Sequence, residues 1–339
     1  MQYSIHRVFL MLGSKCNLQC KYCLQHEMAT PSNKLVSSDV IDWLRQVIRT
    51  QNKKLNITFY GGEPLIYWDA IKQVVNALGD SASYGIITNG KLLDEDKIDF
   101  INDNNIAVTL SWDGKNVHNT RGYDALKSNP FISNVRKLSL SAVLSAENYP
   151  LDFLDAAEPF MESYRNEHGS YPNLNIDTIM DFGNCADLAN VDCAKVSSQV
   201  STIMQGAKPI YQFFRDSFMK YVFRQESEIK LAPCKNGIKV WNVDTEGNLY
   251  RCHNTGECIG TIYDDMLIPL VNGIRLDTTV DNYKACKKCP VYKLCSGGCP
   301  LVTSEDRVRY YCSIKQAYYI PILEYIDGES EKGRVIVIE

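Results

Sequence analysis

The stretch SKCNLQCKYCLQ, residues 14–25, holds three cysteines within eight positions. Three residues separate Cys16 from Cys20, and two residues separate Cys20 from Cys23. A [4Fe–4S] cluster has four irons that each take a terminal ligand, commonly a thiolate. Three thiolates leave one iron open, and an open metal position is typical of a site that binds a substrate or cofactor. The spacing leaves open a zinc site or a set of unligated structural cysteines as alternatives.

The composition places the chain among ordinary globular proteins. The 339 residues are 45% hydrophobic and 22% charged, with a net charge of −4, which suits one large domain or one large and one smaller domain. A general nucleic-acid-binding protein carries a basic excess, and this chain has none. No apolar stretch is long enough to span a membrane, and the N-terminal residues lack a signal-peptide pattern. We therefore expect a cytoplasmic protein that binds neither nucleic acid nor membrane.

The chain has thirteen cysteines, which is many for a cytosolic protein, because structural disulfides are rare in that compartment. All but two lie in two groups, residues 16–23 and residues 234–312. Such clustering favours metal binding. Cys185 and Cys193 lie between the groups, and we expect them to be structural thiols.

Six short apolar runs predict β-strands, and amphipathic stretches between them predict helices. The predicted strands are residues 7–12, 56–60, 84–88, 107–111, 138–144 and 174–180, and the predicted helices are residues 38–50, 69–78, 94–103, 124–136 and 151–166. Strands that alternate with helices form parallel βαβ units. We therefore predict an α/β fold in the form of a partial (β/α)6 TIM-like barrel, with functional loops after the carboxyl ends of the strands.

Short motifs follow four of the predicted strands at these carboxyl ends. They are the three-cysteine loop, GGEP at 61–64, TNG at 88–90 and SWDG at 111–114. The pattern becomes loop-rich and cysteine-dense near residue 231. We therefore predict a β/α domain at residues 1–227, a small loop-rich domain at 228–325 and a C-terminal tail at 326–339.

The segment from Cys16 to Cys23 resembles the CxxxCxxC signature of the radical S-adenosylmethionine (SAM) superfamily, including the aromatic residue before the last cysteine. The resemblance implies that Cys16, Cys20 and Cys23 ligate a [4Fe–4S] cluster, and that the amino and carboxylate groups of SAM chelate the open iron. In that family, an electron from the cluster cleaves a C–S bond of SAM and gives a 5′-deoxyadenosyl radical. The radical then removes a hydrogen atom from the substrate.

The remaining loops resemble the SAM-binding motifs of the superfamily. GGEP looks like a motif whose glycines allow a close backbone approach, and the resemblance implies that Glu63 takes the SAM amino group. Arg121 resembles an arginine that meets the SAM carboxylate, and Ser111 and Asp113 resemble residues that reach the ribose. Asn89 is either a SAM ligand or a turn residue. The predicted SAM-binding residues are Tyr22, Gly61, Gly62, Glu63, Pro64, Asn89, Ser111, Asp113 and Arg121.

The C-terminal cysteines resemble the seven-cysteine SPASM pattern, which follows the radical domain in a subgroup of the superfamily. The pattern implies two auxiliary [4Fe–4S] clusters, and therefore three clusters in the chain. The implied ligands of one auxiliary cluster are Cys286, Cys289, Cys295 and Cys312. The implied ligands of the other are Cys234, Cys252 and Cys299, with Cys258 as a candidate fourth ligand and an open iron as the alternative. A pair of zinc sites is the remaining alternative.

Relatives with this pair of domains mostly modify peptides or proteins, and some oxidise small molecules. The resemblance therefore implies an oxygen-sensitive radical SAM oxidoreductase that oxidises or crosslinks a peptide or protein side chain. One alternative is radical oxidation of a small metabolite. A more distant alternative is a zinc-stapled binding protein without catalysis.

Two departures from the family pattern restrict the kind of reaction and the way in which a substrate could be recognised. Anaerobic sulfatase-maturing enzymes place a catalytic aspartate directly after the cysteine that Cys252 matches, and here that residue is His253. Sulfatase maturation is therefore disfavoured, and His253 is a base, a partner of a cluster or a structural residue. The first strand begins near residue 7, so we expect no N-terminal leader-binding domain. The implied partners are a peptide or protein substrate, an electron donor such as flavodoxin or ferredoxin, and a separate leader-binding protein.

Overall fold

A computed structural model describes most of the chain, which divides into two compact units. The described residues are 5–25, 33–51, 53–181, 183, 185–225, 239–265, 267–273, 286, 288–295, 297–299 and 301–331. The first unit is Met1–Trp112, Arg121–Leu140 and Lys235–Arg275, and the second is Asp113–Thr120, Ser141–Cys234 and Leu276–Glu339. The predicted domain boundary near residue 228 lies outside the described residues and stays a prediction.

Strands and helices alternate along most of the chain. The strands are β1 (Arg7–Met11), β2 (Leu55–Tyr60), β3 (Ala82–Thr88), β4 (Ala107–Ser111), β5 (Leu138–Leu144), β6 (Asn173–Thr178), β7 (Val240–Asp244), β8 (Asn248–Tyr250) and β9 (Cys258–Thr261). The helices are α1 (Ser38–Arg49), α2 (Trp68–Leu78), α3 (Glu95–Asp103), α4 (Val117–Thr120), α5 (Ala125–Ser128), α6 (Pro150–His168), α7 (Ala186–Ala189), α8 (Cys193–Gln205), α9 (Pro209–Gln225), α10 (Leu267–Gly273), α11 (Tyr292–Cys295), α12 (Ser304–Asp306) and α13 (Cys312–Glu331).

The first unit is built on a largely parallel sheet with β1 inside it. Strands β2, β3 and β4 follow β1 on one side in chain order, and β7 pairs with the other side, all in parallel. Strands β8 and β9 continue from β7 as antiparallel strands. Val8, Leu10 and Met11 have no exposed surface, as expected for a parallel strand that is covered on both faces.

The helices between these strands form where the sequence places apolar residues at helical spacing. Helix α1 begins after Ser37, whose side chain accepts a hydrogen bond from Val40 N and caps the helix. Val40, Leu44 and Val47 lie on one face and are buried. The predicted helices at 38–50, 69–78, 94–103 and 151–166 correspond to α1, α2, α3 and α6 and agree closely in their bounds.

The predicted helix at 124–136 is wrong. Only one turn, α5, forms there, and a 3₁₀ turn at Pro130–Asn134 follows it. Pro130 has no N–H to donate, and its ring disfavours helical backbone at the preceding residue. Asn129 is accordingly extended, with φ −122° and ψ 101°, and its side chain caps the 3₁₀ turn instead. Apolar spacing alone could not predict this break.

The second unit contains the helices α6, α8, α9 and α13. Strand β5 begins in the first unit and continues into the second, where β6 is its neighbour. Helices α8 and α13 pack together, with Val200, Ile203, Ile314 and Ile322 fully or almost fully buried. The predicted α/β class is confirmed, because the strands of a largely parallel sheet alternate with helices along the chain. Over the described strands, the sheet does not close into a barrel. None of the described helices has the length and hydropathy that crossing a bilayer requires.

Candidate active site

The three-cysteine loop follows the carboxyl end of β1, as predicted. Cys16 is exposed, and Cys20 and Cys23 are half-buried. The Cys23 backbone N–H donates to the Cys20 carbonyl oxygen at 3.1 Å, and the Gln25 N–H donates to Cys23 Sγ at 3.4 Å. Although Cys16 is exposed overall, partial desolvation of its thiol raises the pKa, and the nearby negative charges of Glu63 and Cys23 raise it further. Iron bound to these thiols would offset that repulsion.

The GGEP loop lies against the backbone that leads into the cysteine loop. Gly62 N donates to Gly13 O at 2.9 Å, and Glu63 N donates to Lys15 O at 2.9 Å. Gly61 has φ +143°, and a Cβ there would lie 2.4 Å from Gly13 O. A Cβ on Gly62 would lie 2.4 Å from Lys15 O. Only glycine permits this approach at both positions.

Glu63 is 1% exposed and fixed by three donors. Its Oε1 accepts from Leu65 N at 3.1 Å and Thr88 Oγ1 at 2.7 Å, and its Oε2 accepts from Asn89 N at 2.9 Å. Burial raises the pKa of Glu63, whereas these hydrogen bonds lower it. Pro64 is buried and begins the following 3₁₀ turn. A fixed carboxylate beside the cysteine loop suits an ammonium group.

Asn89 makes the turn interaction that the sequence left open, and a SAM-binding role for this residue stays a prediction. Its Oδ1 accepts from Lys91 N at 2.9 Å, which is a turn interaction, and its Nδ2 donates to Asn17 Oδ1 at 2.8 Å. Asn17 lies inside the cysteine loop, and its buried Nδ2 makes no hydrogen bond to the described residues. An unpaired buried donor is costly, so this position fits a polar ligand that supplies an acceptor.

The Arg121 side chain lies over the ring of Tyr22, which is part of the cysteine loop. The Arg121 guanidinium lies 5.2 Å from the centre of the Tyr22 ring, and its Nη1 lies 4.0 Å from Cys20 Sγ. Tyr22 itself is buried. The arrangement places a permanent positive charge beside the thiols, where it suits a carboxylate or a negatively charged cluster.

Ser111 and Asp113 differ in their surroundings. Ser111 is half-buried at the last position of β4. Asp113 has no exposed surface, and its carboxylate accepts from Thr120 Oγ1 at 2.7 Å and from Val143 N at 3.1 Å. Both oxygens of Asp113 therefore stabilise the second unit, a role that its position after β4 did not indicate. A SAM-binding role for either residue stays a prediction.

A polar contact that was not predicted joins the cysteine loop to residues 252–254. Gln25 is 6% exposed, and its Nε2 donates to the His253 carbonyl oxygen and to Asn254 Oδ1, the latter at 3.2 Å. Tyr60 Oη also donates to Asn254 Oδ1, at 2.9 Å, and Asn254 N donates to Cys252 Sγ at 3.4 Å. This contact depends on tertiary packing, so no local sequence pattern could predict it.

The imidazole ring of His253 packs against two aromatic side chains. Its imidazole stacks on Phe9 with centroids 4.2 Å apart and meets the Tyr60 ring edge-on at 4.8 Å. Burial, and to a smaller extent the Arg7 charge, lower the pKa of His253 to about 4. The ring is therefore neutral near pH 7, and its packing between aromatic rings agrees with the structural alternative, while the roles of base and cluster partner stay predictions.

Four of the predicted auxiliary ligands gather in the second unit. Burial raises the pKa of Cys295, Lys315 lowers it, and the thiols of Cys312, Cys286 and Cys289 raise it. The Cys295 thiol is thus close enough to the thiols of Cys312, Cys286 and Cys289 for their charges to affect it. Cys289 N donates to the Cys286 carbonyl oxygen at 2.9 Å, which closes a tight turn between two of them. Cys312 begins helix α13, far along the chain.

The other predicted ligands are described only in part. Cys252 is half-buried and Cys258 is exposed, with the Cys258 thiol donating to Gly260 O at 3.3 Å. Cys299 is half-buried, and Cys234 lies outside the described residues. The ligand set of this second auxiliary cluster therefore stays a prediction.

The donor chemistry of the cysteine groups fits iron–sulfur clusters. Over the described part of the chain, no three His, Cys, Asp or Glu side chains form a group that could hold one metal ion. A [4Fe–4S] cluster instead takes one thiolate at each iron. The three-cysteine loop supplies three thiols, and Cys286, Cys289, Cys295 and Cys312 together supply four. Cys185 is buried, and burial followed by the Asp181 charge raises its pKa to about 12, as expected for an inert thiol.

The close approach of the two loops predicts a large effect of Gly62→Ala. The new Cβ would lie 2.4 Å from Lys15 O and 2.5 Å from Ser14 O, both backbone atoms that cannot move without shifting the cysteine loop. We expect a loss of about 1–3 kcal/mol in the free energy of unfolding, measured by denaturation, and SAM binding at least about tenfold weaker, measured by equilibrium dialysis. Gly85→Ala is the control, because its Cβ would make ordinary contacts from 3.5 Å. Equal behaviour of the two variants would contradict the argument.

Comparison with known proteins finds similarity to radical SAM proteins. The model of the Radical SAM superfamily matches residues 10–121. The chain is 23% identical over 331 residues to the radical SAM cyclopropyl synthase TigE of Paramaledivibacter caminithermalis, covering 87% of this chain and 68% of that protein. It is 24% identical over 349 residues to a cysteine-type anaerobic sulfatase-maturating enzyme of Clostridium perfringens, covering 91% of this chain and 93% of that protein.

A solved structure shows the same fold. The native enzyme anSMEcpe with bound AdoMet and the Cp18Cys peptide aligns with a TM-score of 0.65 and 18% sequence identity. The alignment covers 98% of this chain and 99% of that chain.

Proposed function

We propose that this chain, which belongs to the radical SAM superfamily through its domain at residues 10–121, modifies a peptide or protein side chain by radical chemistry. The observation that carries the proposal is the arrangement of Glu63, Asn17 and Arg121 around the three-thiol loop. A fixed carboxylate, an unpaired amide donor and a guanidinium complement the amino and carboxylate groups of an amino acid, which is the part of SAM that meets the cluster in this family.

In this proposal, different residues of the first unit bind the cluster, the SAM ammonium and the SAM carboxylate. Cys16, Cys20 and Cys23 hold three irons and leave the fourth for SAM. Glu63 takes the SAM ammonium, and Arg121 takes the SAM carboxylate. When bound, cluster and SAM supply an electron and a C–S bond whose cleavage gives methionine and the 5′-deoxyadenosyl radical, which removes a hydrogen atom from the substrate.

The remaining cysteines would hold two auxiliary clusters, which gives three [4Fe–4S] clusters in the chain. The electrostatic contact of Cys295 with Cys286, Cys289 and Cys312 supports one of them. An electron donor such as a flavodoxin or ferredoxin would reduce the radical cluster. If the substrate carries a leader, a separate leader-binding protein is the proposed means of recognition.

The comparisons support a peptide as substrate. The similar C. perfringens enzyme is named for sulfatase maturation, and the aligned anSMEcpe structure contains a peptide. Sulfatase maturation itself is disfavoured here, because the residue after Cys252 is a stacked, neutral histidine rather than a carboxylate. The proposed reaction is therefore a different oxidation or a crosslink of a side chain.

The test uses the full chain after anaerobic reconstitution with iron and sulfide. We expect a brown protein with about a dozen irons, and 5′-deoxyadenosine formation that increases when a synthetic peptide encoded beside this gene is added. Mass spectrometry of that peptide should show loss of hydrogen, and a deuterated peptide should transfer deuterium to 5′-deoxyadenosine. A colourless zinc protein would refute the radical assignment. Stimulation by a small-molecule extract but not by the peptide would favour a metabolite as substrate.

A further inference from the structure

Helix α13 carries two polar side chains next to the four-cysteine group of the second unit. The helix begins at Cys312, and Lys315 and Gln316 follow three and four residues later. At that spacing they share a helix face with Cys312. Gln316 Nε2 donates a hydrogen bond to Cys289 Sγ at 3.7 Å. The amide therefore contacts a predicted cluster ligand directly.

Lys315 adds a positive charge at the same place. It interacts electrostatically with Cys295 and Cys299. Its Nζ lies over the Tyr311 ring at 5.5 Å and the Tyr319 ring at 5.7 Å, which keep the side chain on this side of the helix. Lys315 is half-buried, so solvent screens its charge less than that of a surface lysine.

We propose that Gln316 and Lys315 raise the reduction potential of the auxiliary cluster whose ligands are Cys286, Cys289, Cys295 and Cys312. The inference rests on the proposed function, since it takes these four thiols to hold a cluster. Reduction adds one electron and no atoms, so the reduced cluster carries more negative charge than the oxidised one. An N–H donor at a ligand sulfur and a nearby ammonium both stabilise the more negative state, because hydrogen bonds and local charge set the potentials of such clusters.

The chemical consequence is a bias toward accepting electrons. A cluster of higher potential takes an electron more readily and gives it up less readily. The two side chains would thus make this auxiliary cluster an acceptor within the protein, whereas the radical cluster must act as a strong donor. Neither residue ligates iron, so both act through the ligands and are positioning residues.

The test is a redox titration of the full chain with dithionite, followed by electron paramagnetic resonance. Alanine at Cys16, Cys20 and Cys23 removes the radical cluster, so the signal reports auxiliary clusters alone. At the potential where this parent is half reduced, Lys315→Met should lower the ratio of reduced to oxidised cluster about tenfold, which corresponds to ~59 mV for a one-electron couple. Gln316→Leu should lower the ratio in the same direction, by about threefold.

Matched variants separate charge from structure. Lys293→Met removes an equal charge from an exposed position of α11, two residues before Cys295, and should change the ratio less than about twofold because solvent screens it. Lys315→Arg keeps the charge and should keep the parent potential. Gln316→Glu keeps the volume but replaces the N–H donor with a carboxylate, and it should lower the potential further than Gln316→Leu.

The outcomes distinguish the inference from the assignment beneath it. Parent midpoint potentials in both Lys315→Met and Gln316→Leu, at full iron content, would overturn the inference and leave the cluster intact. A parent protein without auxiliary iron would overturn the cluster assignment and the inference together. If Lys315→Met fails to load iron, the pair Gln316→Leu and Gln316→Glu decides, and equal potentials in that pair would count against the inference.

Discussion

Replacing Cys16, Cys20 and Cys23 together with alanine should abolish 5′-deoxyadenosine formation by the reconstituted, reduced protein. The three thiols follow β1 in a single loop, and the GGEP backbone fixes that loop from the other side. These thiols are the proposed ligands of the cluster whose open iron would bind SAM. The variant should lose about four irons per chain and keep the others. Iron analysis and chromatography of the SAM products measure both effects.

The control for this variant is Cys193→Ala. Cys193 is the first residue of α8, and its thiol donates to the Val191 carbonyl oxygen at 3.8 Å. It lies outside both cysteine groups, so the control should keep the full iron content and full product yield. Undiminished 5′-deoxyadenosine from the triple variant would refute the assignment of the radical cluster.

Cys312→Ala should separate SAM cleavage from substrate modification. Cys312 reaches the group of Cys286, Cys289 and Cys295 from a distant part of the chain, and a cluster there would close that loop. Because bound metal contributes directly to the folding of such regions, the variant should lose about four irons and melt at a lower temperature. SAM binding and uncoupled 5′-deoxyadenosine formation should persist, whereas modified peptide should fall to background.

The exposed neighbour Ser313 supplies the control for the second experiment. Ser313→Ala changes α13 at the next position and leaves every thiol in place, so it should match the wild type in iron, stability and both product yields. The informative quantity is the ratio of modified peptide to 5′-deoxyadenosine. If that ratio and the iron content of Cys312→Ala equal those of the wild type, Cys312 is not a ligand.

The sequence allowed the strands to be predicted more accurately than the contacts between them. Apolar residues at alternate positions gave β4 and β5 with their observed bounds, and buried residues alternate with more exposed ones along both strands. The helix at 124–136 failed, since Pro130 outweighs a helical spacing of apolar residues. The pairing of β7 with β1 joins residues more than two hundred positions apart, and local patterns carry no information on such a pairing.

The candidate site shows the same division between local and tertiary information. Spacing indicated the cysteines as metal ligands, and the resemblance to the GGEP motif indicated the two glycines, because metal ligation and close backbone approach restrict residue type. The three donors to Glu63 and the unpaired amide of Asn17 depend on how β1, β2 and β3 align. The contact of Gln25 with Asn254 depends on the same alignment. Register across a sheet follows from packing, which single positions in a sequence do not encode.

The backbone bonds from Gly62 to Gly13 and from Glu63 to Lys15 have a consequence for protein engineering. The cysteine loop cannot be transplanted alone into another β/α scaffold, since part of its support comes from a turn 48 to 49 residues later. A functional graft would have to carry both segments and the two strands that precede them, in their original alignment. The smallest transferable unit of this chemistry is therefore a pair of adjacent parallel strands with their loops.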